Sequence, residues 1–355
     1  MKSQFKRLSQ NEIAESTGLS RSTIGHILNG RARELHIAVE TEKRVLALAE
    51  EKGYLKNRAV RQLQASKTFQ IAFITNFDSR DNNNPTMPPA VIHMIDILQK
   101  ENYTTLLINV DVRSEDISQA FQEHCFDGMV IYGIVPNQDF FVEWGRKHKI
   151  PHVFLHHDRV AKNNVGIDEE QTAYYIVGEL KKLGFCRIAF YFPREVELNK
   201  YFPEDYLFSR EIFIRQAIKS LKLKQYPSSV EQREESNNPA GFLMKQKETP
   251  DCLIAYDTYT AISLLGNLHE LGYSVPKDIG ILAYSYDKYN SITMPCLCGV
   301  DFDNMEIGRN LAEMILQQIE SGEECENRLT IGKLVLEKGG IRFDSLDFFG
   351  NKKGS

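Results

Sequence analysis

The sequence predicts a small all-α N-terminal unit and a hinge, followed by a two-lobed α/β body with parallel sheets. Three observations carry this prediction. Residues 8–54 hold short amphipathic helical stretches punctuated by capping residues and glycines. From Ile71 onward, short apolar runs alternate with amphipathic helices, the pattern of parallel strands flanked by helices. The formal net charge of −5 also hides a division: residues 1–67 carry 13 Lys and Arg against 7 Asp and Glu, which leaves −11 on the remainder. A basic head on an acidic body is the division expected when only the head meets phosphate. At 355 residues the chain is long enough for two or three such units.

The N-terminal elements follow in order. Ser9 precedes the first helical run and Glu12 follows three residues later, so the pair forms a capping box. Ile13 and Ala14 face inward. Thr17-Gly18-Leu19 ends the helix, with Gly18 free to take a left-handed backbone. Ser20 caps a second helix whose Ile24, Ile27 and Leu28 form one apolar stripe. Arg21, Ser22, Gly25, His26 and Asn29 lie on its opposite face. Two short helices joined by a tight turn form the geometry that presents a helix to the DNA major groove. A third helix runs from about Val39 to Lys52, with Val45, Leu48 and Ala49 inward and Gly53 as its stop.

The segments Ile13–Glu15, Gly18–Ser20, Ser22–Ile24 and Ile27–Gly30 resemble the DNA-binding headpiece of the lac repressor family of bacterial regulators. The likeness continues through Glu40–Leu46, Gly53-Tyr54 and Asn57–Leu63, and more weakly along most of the remaining chain. It implies a headpiece over 1–54, a hinge over 55–69, an effector-binding and dimerisation domain over 70–345, and a tail over 346–355. Contacts to DNA are then expected from Ser20, Arg21, Ser22, Thr23, His26 and Asn29 on the second helix. Further contacts are expected from Asn57, Arg58, Val60, Arg61 and Leu63 in the hinge, where the family's equivalent leucine wedges into the minor groove. Four positions depart from the family pattern. Ala38 stands where Ser or Thr usually caps the third helix, Val60 replaces an alanine, Gly25 a serine, and His26 a frequent arginine.

In the body, strands are predicted at Ile71–Thr75, Thr105–Asn109, Met129–Tyr132, His152–Leu155, Ile188–Phe192, Leu253–Tyr256 and Ile279–Ala283. Helices are predicted at Ala90–Lys100, Phe140–Lys147, Gln171–Leu183, Ala261–Leu271 and Met305–Ile319. This resembles the two-lobed periplasmic sugar-binding proteins, with the chain crossing between lobes three times. Lobe 1 is placed at about 70–168 and 301–328, and lobe 2 at about 169–300 and 329–345. The resemblance carries effector contacts onto Asp168, Arg210, Tyr256, Asp257 and Ser285. Arg210 matches an arginine that grips ligand oxygens through its planar fork. Tyr256 replaces an asparagine, Ser285 and Tyr286 replace an Asp-Asp pair, and Phe302 or Asp303 stands near a usual glutamine. The polar set is thus shifted toward aromatic residues. For each of these positions a structural role at the lobe boundary is the competing reading. Tyr191, Phe192, Tyr201, Phe202, Tyr206 and Phe208 offer rings for stacking or for the core, and Trp144 is expected to pack within a lobe.

No catalytic set stands out, no cofactor is implied, and no phosphate-binding glycine loop, nucleophile elbow or His-Glu-x-x-His motif occurs. His156-His157-Asp158 follows a strand, but adjacent residues in an extended chain point opposite ways, so a shared metal is not expected. His156 is read as lining the cleft or the lobe boundary. Cys296-x-Cys298 lacks a second ligand pair and reads as small side chains beside a strand. The six cysteines are scattered, as in reduced thiols, and no run of 18 apolar residues exists. With no apolar signal core near the N-terminus, the expectation is a cytoplasmic protein without membrane contact. The expected function is a sequence-specific transcriptional regulator, a repressor by the family's usual outcome. It is expected to bind a palindromic double-stranded operator as a homodimer under control of a small-molecule effector, most readily a carbohydrate. A purine or other non-sugar ligand is the alternative, and an α/β enzyme with an accessory DNA-binding head is a rival from another class.

Overall fold

The computed structural model describes residues 8–54, 62, 65, 67–75, 88–110, 126–133, 138–156, 162–191, 209–228 and 238–336. The chain divides into two compact units, Met1–Thr68 and Phe69–Ser355. In the first, α1 (Gln10–Thr17), α2 (Arg21–Leu28) and α3 (Val39–Glu51) enclose a core of Ile13, Ile24, Ile27, Leu28, Ala32, Val45 and Ala49. The predicted capping box is formed, with Ser9 and Glu12 each accepting from the other's backbone N–H. Gly18 takes φ 71°, the left-handed turn that lets α2 leave at once. Ser20 caps α2 through Thr23 N, whereas Ala38 begins α3 with no side-chain cap. Lys52 Nζ donates to Ser16 Oγ and Arg44 to the Thr17 carbonyl, which hold α3 across the end of α1.

The second unit is two sheets. The first runs in the order β10 (Arg328–Thr330), β5 (Asn164–Ile167), β4 (His152–Leu155), β3 (Gly128–Tyr132), β1 (Gln70–Thr75), β2 (Thr104–Asn109), and every pairing is parallel. The second runs β11 (Lys333–Val335), β9 (Cys298–Asp301), β8 (Gly280–Ala283), β7 (Cys252–Ala255), β6 (Ile188–Tyr191). Its strands β6, β7 and β8 are buried along their whole length, as strands covered on both faces must be. Helices α4 (Pro89–Lys100), α5 (Gln138–His148) and α10 (Asn304–Ser321) belong to the first lobe. Helices α6 (Glu169–Lys182), α7 (Ser209–Ser220), α8 (Pro239–Met244) and α9 (Thr258–Glu270) belong to the second. One apolar cluster runs through both lobes, from Phe73 and Leu155 to Leu282 and Val300.

Three differences from the sequence reading have physical reasons. Strand β11 lies antiparallel to β9, so the second sheet is not wholly parallel. The carboxyl ends of the two sheets face each other, and only two residues separate β10 from β11. A chain leaving one sheet at its carboxyl edge therefore enters the other at that edge, running backward. Strand β10 extends through Thr330, which carries the first sheet two residues beyond the expected boundary at 328. Strands β5, β9, β10 and β11 and helices α7 and α8 were absent from the predicted set. Each is three to six residues long, except α7, whose Glu211 is buried and blurs the apolar stripe. The chain crosses between lobes after Ile167, between Asp301 and Asn304, and between Thr330 and Lys333.

Candidate functional site

Two surfaces bring polar side chains together. On the first unit, α2 presents Arg21 and Ser22 fully to solvent, with Asn29 exposed at its end and Thr23, Gly25 and His26 half-buried. The Ser20 and Thr23 hydroxyls lie 2.8 Å apart, and Ser22 Oγ lies 3.2 Å from His26 Nε2. Arg21 makes no hydrogen bond or ion pair with the described residues, so its five donors remain available. The opposite stripe, Ile24, Ile27 and Leu28, is buried, which fixes this face outward. The expected hinge contacts Asn57, Arg58, Val60, Arg61 and Leu63 lie outside the described residues.

The second surface is a cleft between the lobes, at the carboxyl ends of both sheets, where open α/β folds gather ligands. Arg210, near the start of α7, is its centre. Its Nε donates to Glu169 Oε1 at 3.0 Å and its Nη1 to the Tyr256 carbonyl at 3.1 Å. The guanidinium carbon stands 5.0 Å from the Tyr256 ring centroid, 5.2 Å from Tyr284 and 5.9 Å from Phe302. Burial is the largest influence and works against the Arg210 charge, but Glu169, Tyr256 and Tyr284 together more than offset it and hold the group above its ordinary pKa. From the first lobe, His156 follows β4 in a left-handed backbone (φ 57°) and meets the Tyr132 ring edge-on at 6.3 Å. Burial, and then the nearby Arg210 charge, lower the His156 pKa to about 4, so the imidazole is neutral at pH 7. Burial and then Glu169 push the Tyr284 phenol well above its usual range.

The cleft brings Arg210 and Tyr256 together, and the other three expected residues are engaged locally. Asp168 caps α6, accepting from Gln171 N at 2.9 Å and Gln171 Nε2 at 2.6 Å. Asp257 caps α9 through Thr260 N at 2.7 Å. Ser285 Oγ accepts from Thr258 N at 2.9 Å and lies 2.8 Å from Thr258 Oγ1, which in turn bonds Asn290. Glu169, Tyr132 and Tyr284 were not singled out from sequence. Glu169 sits in the acidic run Asp168-Glu169-Glu170 at a helix start, where negative residues are ordinary. Tyr191 is buried, and its hydroxyl accepts from Asn267, so it is core rather than a stacking platform. Phe192, Tyr201, Phe202, Tyr206 and Phe208 lie outside the described residues, as do His157 and Asp158. Trp144 packs on the first lobe, its ring 4.6 Å from His148. Among the described residues no group of three or more His, Cys, Asp or Glu is placed to hold a metal.

Residues 177–336 match the model of a periplasmic binding protein-like domain. The chain is 24% identical over 337 residues to the HTH-type transcriptional regulator AscG of Escherichia coli, covering 91% of this chain and 96% of that one. It is 18% identical over 330 residues to the HTH-type transcriptional repressor PurR of Aliivibrio salmonicida, with 87% and 91% covered. A crystal structure of the lac repressor dimer bound to operator and the anti-inducer ONPF superposes with a TM-score of 0.71. It covers 95% of this chain and 100% of that one at 17% identity. The chain is similar to members of the lac repressor family along most of its length. The relatives it matches are HTH-type transcriptional regulators and repressors, and the match runs over nearly their full length. Ser285 and Tyr286, where the resemblance leads one to expect an Asp-Asp pair, have a structural setting of their own. The hydroxyl of Ser285 is committed to the start of α9, and the charge facing the cleft comes from Glu169 instead. No helix among the described residues is long and apolar enough to cross a membrane.

Proposed function

We propose that this chain is a cytoplasmic repressor that binds a near-palindromic operator as a homodimer and is controlled by a small molecule held in the Arg210 cleft. The observation that carries the reading is the unpartnered, solvent-facing Arg21 on a capped second helix of a three-helix headpiece. An exposed arginine at the start of such a helix donates two hydrogen bonds to guanine O6 and N7. One headpiece reads a half-site, so two-fold symmetry of the protein is mirrored in the DNA. Ser20, Ser22, Thr23, His26 and Asn29 join Arg21 on this surface, and further DNA contacts from Asn57, Arg58, Val60, Arg61 and Leu63 are part of the same reading. Its similarity to transcriptional regulators and repressors supports a non-enzymatic role.

The cleft supports a carbohydrate effector. Its rings offer faces for stacking, and Arg210 offers donors for hydroxyl oxygens. Asp168, Asp257 and Ser285 shape the lobe boundary through their caps and hydrogen bonds. An effector changes DNA affinity only by binding one lobe arrangement better than the other. Selection of operator DNA by the full-length protein, followed by titration with a sugar and purine panel, tests this. The expected result is a two-fold symmetric site, bound by a dimer with steep salt dependence and shifted by one sugar. Protection of an asymmetric half-site by a monomer contradicts the reading.

A further inference from the structure

The cleft carries one feature that the general reading does not use. Arg210 and Glu169 form an ion pair whose side chains are only 19% and 11% exposed, so solvent screens it little. The pair consumes Nε of Arg210, and the Tyr256 carbonyl consumes Nη1, while Nη2 has no hydrogen-bond partner among the described residues. Around this pair the cage is made of Tyr132, Tyr256, Tyr284, Phe302 and a neutral His156. Among the described residues the cage contains no second cation, and Asp168 adds a further carboxylate beside Glu169. The described lining thus sets two carboxylates, Asp168 and Glu169, against the one arginine at its centre.

We propose that Glu169 is the specificity determinant of this cleft, restricting the effector to an uncharged, hydroxyl-bearing molecule with an apolar face and excluding phosphorylated and carboxylated ligands. The proposal rests on reading the cleft as the effector site. A phosphate or carboxylate drawn to Nη2 stands close to the Glu169 carboxylate in a weakly screening medium, where like charges repel strongly. Displacing Glu169 instead separates a largely buried carboxylate from the guanidinium, which is costly. A hydroxyl oxygen accepts from Nη2 without adding charge. The C–H face of a sugar ring then lies on the half-buried Tyr256 ring.

The test uses the full-length protein and inorganic phosphate as the probe. Wild type, Glu169→Gln, Glu169→Asp and Arg210→Ala are titrated at pH 7 by calorimetry, with thermal shift in parallel. Glu169→Gln is expected to bind phosphate at least about tenfold more tightly than wild type, because the freed guanidinium accepts an anion. Glu169→Asp retains the charge and stays with wild type, and adding Arg210→Ala to Glu169→Gln abolishes the gain. If Glu169→Gln does not fold, Glu169→Ser removes the same charge and is read in the same way. Arg210-dependent phosphate binding by wild type as tight as by the neutral variant overturns the proposal, as does a folded neutral variant with no gain. Neither result touches the effector reading, since an anion pocket is still a ligand site. That reading fails separately if no compound of the sugar and purine panel moves the operator affinity of wild type.

Discussion

The recognition surface of α2 and the Arg210 cleft are both polar, yet their side chains are in opposite states. Arg21 on α2 is exposed and unpartnered, whereas Arg210 is sunk among rings and already paired with Glu169. Removing Arg21 therefore takes away only what DNA would have received. Removing Arg210 strands a carboxylate inside the protein. The contrast teaches that a lone arginine motif says little by itself, because its worth is set by whether its own chain has already used it.

The largest expected effect sharpens that contrast directly. Arg210→Ala is expected to destabilise the body by about 3 kcal/mol, because Glu169 loses the compensating guanidinium in a poorly hydrated site. Arg21→Ala is expected to leave stability within about 0.5 kcal/mol, as surface changes usually do. Urea unfolding of both variants checks the pair, and equal losses would erase the distinction.

A second comparison concerns protons. His156 binds its proton at about 4 in the folded protein and near 6.5 when unfolded. The unfolded state thus holds more protons between these values, so this contribution is full above pH 6.5 and is lost as pH falls toward 4. Its size is about 3 kcal/mol. His156→Asn, which tolerates the left-handed backbone, should flatten that part of the stability profile. An unchanged slope from pH 6.5 to 4.5 would show that the imidazole already titrates freely.

Two glycines make the packing version of the same test. A Cβ on Gly308 would collide with the Ala90 carbonyl oxygen and stand 2.9 Å from His93 Cβ, where α10 crosses α4. On Gly25 it would meet only Gln10 Oε1, at an ordinary 3.6 Å. Gly308→Ala is expected to cost about 2 kcal/mol through overpacking, and Gly25→Ala to gain up to about 1 kcal/mol of helix propensity. Melting temperatures of the two variants should therefore move in opposite directions. A gain of about 1 kcal/mol is also expected at Ala38→Ser, where a missing cap is restored to α3. Thermal melting of the headpiece transition reads it.

The same contrast explains what the sequence made legible. Ser9 with Glu12, Gly18, and Ser20 with Thr23 are partners within four residues, so spacing alone exposes them. The alternation of apolar runs likewise announced the buried parallel strands. In the cleft, Glu169 is 41 residues from Arg210 and Tyr256 is 46, and they meet only because two sheets bring their carboxyl ends together. No periodicity records such a meeting. The family resemblance reached Arg210 but not Glu169, which looks like an ordinary acidic residue in a first helical turn. Asp168 and Asp257 were legible as residues at strand ends, while their commitment to helix caps became visible only with the backbone in place.

The central claim is that α2 reads operator bases through its exposed face. Selection from a random DNA library by the full-length wild type, Arg21→Ala and His26→Ala tests it most directly. The account predicts a two-fold symmetric site in which Arg21→Ala loses about 1–3 kcal/mol of discrimination at one base pair per half-site. His26→Ala is expected to change preference at another position. Retention of the wild-type base preferences by both variants would contradict it.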